Sequence, residues 1–404
     1  MAGPGLELIG AEEMAEVMAV IESCELSRYR FDDHSAKPSK VFAFERALEK
    51  MMDVRHCLGM NSCTSALLTG LWAAGIGPGA EVIVPGYTFV ASIAAIAYAG
   101  ATPVLAEIDA SLNLDPDDVR RRITPRTRGI MAVHMMGSPC DLNALTSIAH
   151  ESGLLLFEDC AQAAGGLYRG RALGTFGTFG CFSLNVFKTF TAGDGGVLLT
   201  NDTQLYERAF AIHDHGARPN RVGVADANSL LGLNFRMHEL TGAVAGAQLQ
   251  KLPAILARLR EQKAKLRAAI GEVPQASERV VHDVEGECAT VLAYTFENAD
   301  VAHSVAKNLG TITLASSGKH NYANIPQLAR CAIPGRARPV DVHAEPGMLP
   351  RTDDLLARTI ALSVGVVDSY LGTAFGINIG SDDNEIAQVA EKFLSAVKNA
   401  EGKR

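Results

Sequence analysis

Between residues 56 and 200 short apolar runs alternate with longer amphipathic segments, and nothing else in the chain restricts its fold so tightly. The runs at 56–60, 81–84, 103–106, 129–133, 154–157 and 197–200 have strand length. Helical segments separate them, at 66–74 and 90–99 among others. Strands joined by crossovers of this length pair in parallel, and a parallel sheet needs both faces covered. The alternation therefore predicts an α/β protein with a mostly parallel sheet between helices. Further helices are expected at 11–23, 41–52, 233–252, 256–269 and 383–398, and a strand at 288–295. A chain of 404 residues, 48% hydrophobic, can bury a large core and divides into a large domain with an N-terminal arm, 1–252, and a smaller one, 253–404.

Charge narrows the function. A net charge of −8 with interspersed signs leaves no basic face for nucleic acid or an anionic membrane. The eight cysteines form no Cys-x-x-Cys pair, so neither a zinc site nor a disulfide framework is expected. The N-terminus lacks a basic stretch followed by an apolar one, and no apolar run has transmembrane length, which together predict a cytoplasmic protein.

The chemistry converges on Lys188, placed between an apolar run and a Gly-rich turn that enters the strand at 197–200. A lysine that forms a Schiff base needs a partly desolvated place where its amine can lose a proton. Ser183 precedes it by five residues, close enough for its hydroxyl to reach a phosphate while Lys188 reaches an aldehyde. Asp159 ends the run at 154–157, placing a carboxylate where α/β folds bind ligands. The turn containing Ser62, Cys63 and Thr64 opens a helix whose free N–H groups suit a phosphate, although an ordinary Ser/Thr cap has the same appearance. These pieces make one proposal, a pyridoxal 5'-phosphate (PLP) site.

Two other stretches carry polar groups. Arg28, Tyr29 and Arg30 either form a solvated loop or face a polar substrate. The run 213–216 has two histidines around an aspartate, but no further ligand is spaced nearby, so no metal site is expected.

In this order the motifs resemble those of the DegT/DnrJ/StrS sugar aminotransferases. That family reads Glu-Asp-x-Ala-Gln, then Phe-Ser, then Lys, then Gly-Glu-Gly-Gly. Here the matching residues are 158–162, Phe182 with Ser183, Lys188 and 193–196, and the resemblance runs from about residue 40 to residue 252. It implies a fold-type-I PLP-dependent transferase, with a mostly parallel seven-stranded-type sheet and a smaller C-terminal α+β domain. It implies that Lys188 anchors PLP as a Schiff base and shuttles protons, and that Asp159 pairs with the ring nitrogen. Gln162 would meet the ring hydroxyl, Ala161 would lie beneath the ring, and Phe89 would stack on it. Ser62, Cys63, Thr64 and Ser183 would hold the phosphate. Cys63 stands where the family has glycine, and a positive φ there would strain it. Asn234, in a family-like Gly-x-Asn-x-Arg-Met stretch, would reach the partner subunit's phosphate, which implies a homodimer with shared sites. Lys319, His320 and Tyr322 occupy a loop where the family binds substrate or donor.

The expected reaction moves an amino group from glutamate or glutamine to a keto or aldehyde sugar, or a cyclitol. Stretches at 31–34, 133–137 and 232–236 look closest to the 8-amino-3,8-dideoxy-octulosonate transaminase branch. The alternatives are a dehydratase or aminodehydratase on the same scaffold and a non-catalytic PLP-binding regulator. A dehydratase of this kind carries histidine in place of Lys188.

Overall fold

The computed structural model describes residues 3–30, 39–219, 230–330, 333–334, 342 and 344–401. Among these residues nine strands precede residue 201: β1 (His56–Met60), β2 (Glu81–Pro85), β3 (Thr102–Ala106), β4 (Thr127–Val133), β5 (Leu155–Asp159), the two-residue β6 (Leu167–Tyr168) and β7 (Arg171–Ala172), β8 (Phe179–Ser183) and β9 (Gly196–Thr200). Seven of them form one sheet in the order β1-β9-β8-β5-β4-β2-β3. Every neighbour pair is parallel except the two made by β9. The predicted mostly parallel sheet is therefore present, with β9 running in reverse.

Over the same region the helices are α1 (Pro4–Glu7), α2 (Ala11–Ser23), α3 (Lys40–Met52), α4 (Cys63–Ala73), α5 (Val90–Ala99), α6 (Pro116–Arg122), α7 (Leu142–Ser152) and α8 (Thr203–His213). Separate apolar clusters form around Leu67, Ile93 and Phe179 and around Phe44, Ile148 and Phe182. Such burial on both faces is why the strands read as continuous apolar runs.

The reversal of β9 positions the chemistry. The carboxyl ends of β1, β5 and β8 share one edge of the sheet, and an antiparallel β9 must begin there. The chain between β8 and β9, residues 184–195, therefore holds Lys188 over that edge.

The second half departs from expectation at one element. Helix α9 (Glu239–Ile270) is a single 32-residue helix that passes through Pro253, about 48 Å long at 1.5 Å per residue. An interior proline costs about 3 kcal/mol. Buried Leu249, Leu252, Ile255, Leu256 and Leu259 on both sides of it hold the helix together. The boundary expected at 252/253 thus falls inside α9. The helix also starts at Glu239 rather than 233, because 233–236 is extended and bridged, Asn234 to Asp214 and Arg236 to Met60. A second sheet of β10 (Ala276–Glu278), β11 (Val291–Phe296) and β12 (Thr359–Ser363) follows, with α10 (Ala299–Leu309), α11 (Pro326–Arg330), α12 (Pro350–Arg358) and α13 (Asp383–Glu401). It has its own core around Leu292, Leu362 and Phe393. No helix among the described residues is long and apolar enough to cross a membrane.

Candidate active site

A cavity of about 380 Å3 opens at the carboxyl edge of the main sheet. Ser62, Cys63 and Thr64 line one wall. Ser62 caps α4 by accepting from Ser65 N–H at 3.1 Å. The N–H groups of Cys63 and Thr64 have no partner among the described residues. An eleven-residue helix that presents such N–H groups to a cavity can hold an anion there. Cys63 is not among the residues with positive φ, so its side chain brings no backbone strain. Opposite it Gly196 opens β9, and a Cβ there would lie 2.3 Å from Cys63 N. Only glycine lets the two segments approach so closely.

Asp159, Ala161, Gln162 and Ser183 form the floor. Adjacent β5 and β8 place them together, with Asp159 in register with Cys181. Asp159 is 3% exposed; its Oδ2 accepts from Ser92 Oγ at 2.6 Å and its Oδ1 from Ala161 N–H at 2.9 Å. No cationic side chain among the described residues lies within ion-pair distance of it. A buried carboxylate in that state has room for a cationic ligand atom. Gln162 accepts from Met136 N–H through Oε1 at 2.7 Å, which leaves its amide N–H2 as the group that can donate to a ligand.

Lys188 lines the cavity half-buried. Desolvation lowers its ammonium pKa from the usual 10.5, against the opposing pull of Cys63, Asp159 and Asp368. Phe89, 40% exposed, stands at the mouth with its ring 5.3 Å from that of His320. His320 is buried, and desolvation pushes its pKa down to about 3, so its ring is neutral. Its Nδ1 has no hydrogen-bond partner among the described residues. Lys319 also lines the cavity, its Nζ 5.5 Å from the centroid of the Tyr370 ring.

Four expected residues stand elsewhere. Arg28 makes a bidentate pair with fully buried Glu45, at 2.8 and 2.7 Å, and Glu45 also accepts from Gly59 N–H. Arg28 is thus a structural anchor away from the cavity. Tyr29 packs edge-on to Phe210 with its hydroxyl 3.4 Å from His213 Nε2. Tyr322 is 1% exposed, donates to Asp353 Oδ2 and accepts from Leu349 N–H. Asn234 is exposed and outside the cavity, although the neighbouring Phe235 carbonyl accepts from Asn61 N–H beside the anion-binding turn. It precedes α9 by five residues and so does not cap it. The side chain of Arg30 and the whole of 31–34 lie outside the described residues.

In the histidine pair at 213–216, His213 donates through Nδ1 to Phe210 O and Asp214 pairs with Arg236. His134, Glu158 and Cys160 meet in the core below the site. There Glu158 accepts from the amides of Gly174, Phe176 and Gly177, and His134 Nδ1 accepts from Cys140 N–H. That cluster is a hydrogen-bonded brace for the loop before β8.

Asp194, within the 193–196 motif, lines the cavity, as do Asn185, Thr290, Asp368 and Tyr370, which the sequence did not single out. The signal for Asp368 and Tyr370 is a polar turn closing the apolar run that forms β12.

Residues 9–366 match the DegT/DnrJ/EryC1/StrS aminotransferase family. The L-glutamine:2-deoxy-scyllo-inosose aminotransferase of Streptomyces kanamyceticus is 36% identical over 369 residues, 88% of this chain and 85% of that protein. The GDP-perosamine synthase of Escherichia coli O157:H7 is 36% identical over 228 residues, 56% of this chain, and the match spans 62% of that protein's length. The crystal structure of 3-amino-5-hydroxybenzoic acid synthase superposes with a TM-score of 0.81 at 27% identity, covering 99% of this chain and all of that one.

Proposed function

This chain belongs to the DegT/DnrJ/EryC1/StrS aminotransferase family, and from that premise we propose that its cavity binds pyridoxal 5'-phosphate through Lys188 and transfers an amino group from glutamate or glutamine to a keto sugar or cyclitol. The observation that carries the reading is the joint placement, in one cavity, of a desolvated lysine and a buried carboxylate that has no ion-pair partner among the described residues.

The residues fit the cofactor. The amides of Cys63 and Thr64, without partners among the described residues, and the hydroxyls of Ser62 and Ser183 would hold the phosphate. Asp159 would face the ring nitrogen and would favour its protonated form. Gln162 would donate to the ring hydroxyl, with Ala161 and Phe89 available to the two faces of the ring. When bound, the cofactor supplies the carbonyl that accepts an amine and the sink for electrons released at the substrate carbon. Lys188 Nζ, with its lowered pKa, takes and returns the proton at that carbon. His320, neutral and with an Nδ1 that has no partner among the described residues, and Lys319 beside it are the protein's groups for the substrate's hydroxyls and carboxylate.

Exposed apolar side chains support the reading of a site shared between two copies. Met14, Met18 and Ile21 form an exposed apolar stripe along α2, and Leu231 and Leu233 are exposed next to Asn234. A second copy covering these side chains would bring Asn234 to a neighbouring phosphate.

The reading is tested by borohydride reduction of the PLP-loaded protein, peptide mapping, and assay of keto sugars and inososes with glutamate and glutamine. Label fixed on Lys188 and amine product from at least one acceptor are expected. Label on another lysine would remove Lys188 from its role, and turnover that eliminates water without transferring nitrogen would favour the dehydratase reading.

A further inference from the structure

Gly3 and Gly5 lie far from Lys188 in sequence, yet their backbones touch the loop that carries it. Gly3 N–H donates to Val186 O at 2.9 Å, and Gly5 N–H donates to Lys188 O at 3.3 Å. A Cβ on Gly3 would stand 2.3 Å from the Phe187 carbonyl carbon and 2.7 Å from Lys188 N. One on Gly5 would stand 2.7 Å from Phe190 Cα. These neighbours are main-chain atoms and cannot swing aside. Neither glycine has a positive φ, so both positions exploit the missing side chain and not backbone freedom. Pro4, between them, is buried.

A second attachment reaches the same loop from another direction. Glu13 is 2% exposed and accepts from Gly10 N–H at 2.7 Å, Gln248 Nε2 at 2.8 Å and Lys251 Nζ at 2.8 Å. Gln248 Oε1 in turn accepts from Thr191 N–H at 3.4 Å, and Thr191 Oγ1 donates to Leu184 O at 2.7 Å. The loop between β8 and β9 is thus held at 186, 188 and 191 by residues 3–13 and by the α9 side chain that Glu13 orients.

We propose that residues 3–13 are a clasp that sets the depth and direction of Lys188, with Gly3, Gly5, Glu13 and Gln248 as positioning residues. The proposal rests on Lys188 being the cofactor lysine. A loop with few ladder bonds takes its conformation from what packs on it. Here the packing element comes from the opposite end of the large sheet's sequence, so the lysine is correctly aimed only when the arm is docked.

The test uses the full-length protein with Gly5→Ala, Gly3→Val and Gly5→Val. Gly246→Ala is the control, since a Cβ there meets nothing within 4 Å. Hydrogen exchange of the cofactor-free protein should show peptides over 186–191 opening roughly tenfold faster or more in the clasp variants, with β2 and β4 unchanged. The rate of PLP attachment to Lys188, captured by borohydride, should fall by about tenfold to a hundredfold, the scale of an ångström of misplacement. Wild-type exchange at 186–191 with the arm released, or exchange that rises equally in every peptide, would overturn the clasp. Gly5→Ala adds the smallest volume and answers the question if the valine variants do not fold. If the wild type attaches no PLP at Lys188, the cofactor reading fails, while the exchange data still decide whether the arm orders the loop.

Discussion

Asp159→Asn separates a catalytic carboxylate from a structural one. In the cofactor-free protein Asp159 has two neutral donors, Ser92 Oγ and Ala161 N–H, and no cation among the described residues. Asparagine keeps an acceptor for Ala161. Ser92, whose hydroxyl is 2.9 Å from Thr88 Oγ1, can turn its proton to Thr88 and accept from the new amide. The lost charge-assisted bond is offset by relief of a buried unpaired charge, so folding stability without cofactor should change by no more than about 1 kcal/mol. With the cofactor bound the balance would differ, because on the proposed reading Asp159 would then have a cationic partner. Removing one member of a buried pair costs about 3–5 kcal/mol. At 1.36 kcal/mol per decade, this is a loss of roughly two to nearly four decades in kcat. The assays are urea denaturation of the cofactor-free variant, PLP titration and steady-state turnover. Near wild-type turnover would remove Asp159 from the chemistry, and a large loss of stability without cofactor would make it a fold residue.

Arg28→Met should destabilise the protein by about 3–5 kcal/mol by stranding Glu45, and Arg28→Met/Glu45→Met should restore most of it; intact stability with a raised KM would return Arg28 to the substrate. His213, like His320, is held neutral by burial, its pKa pushed down to about 3. The unfolded chain binds those protons first, below pH about 6.5, so stability present above that value drains as the pH falls toward 3. Each histidine should cost about 2 kcal/mol at pH 5, and His213→Asn should lessen the fall in urea midpoint between pH 7 and 5; an unchanged pH slope would refute this. For the shared site, inactive Lys188→Ala and Asn234→Ala subunits are mixed: recovered activity after subunit exchange is expected, and none despite proven exchange would show each site to be self-contained.

The main sheet is legible because each strand is buried on both faces and so reads as an apolar run, as in 81–84 and 129–133. The Lys188 and Asp159 neighbourhood is legible because its residues end strands or stand between consecutive ones. Where tertiary contacts decide, the sequence is mute. The segment from 233 looks helical, yet bridges to Asp214 and Met60 extend it. Pro253 looks like a break, yet apolar packing on both sides carries α9 through it. Arg28 among charged neighbours does not reveal that its partner is Glu45 on α3. Asp368 and Thr290 enter the cavity through contacts distant in sequence, Thr290 Oγ1 donating to Met136 O across 154 residues.

The reversed strand also dictates an order of events during synthesis. In the finished sheet β9 is β1's one strand neighbour among the described residues, His56 opposite Thr200, at a sequence separation of 144 residues (200 − 56). Strands β2 to β5 can zip together as they emerge, but β1 waits, apolar and unpartnered, until residue 200 is available. Contacts this distant in sequence are slow to close, and an unpaired apolar strand is a hazard for association with other chains in the meantime. The event that retires the hazard also brings Gly196 against the Ser62–Cys63 turn and sets Lys188 over the edge. A nascent chain therefore has no cofactor pocket while β1 is exposed, and the vitamin-derived group cannot nucleate folding; it can only trap a sheet that has already closed.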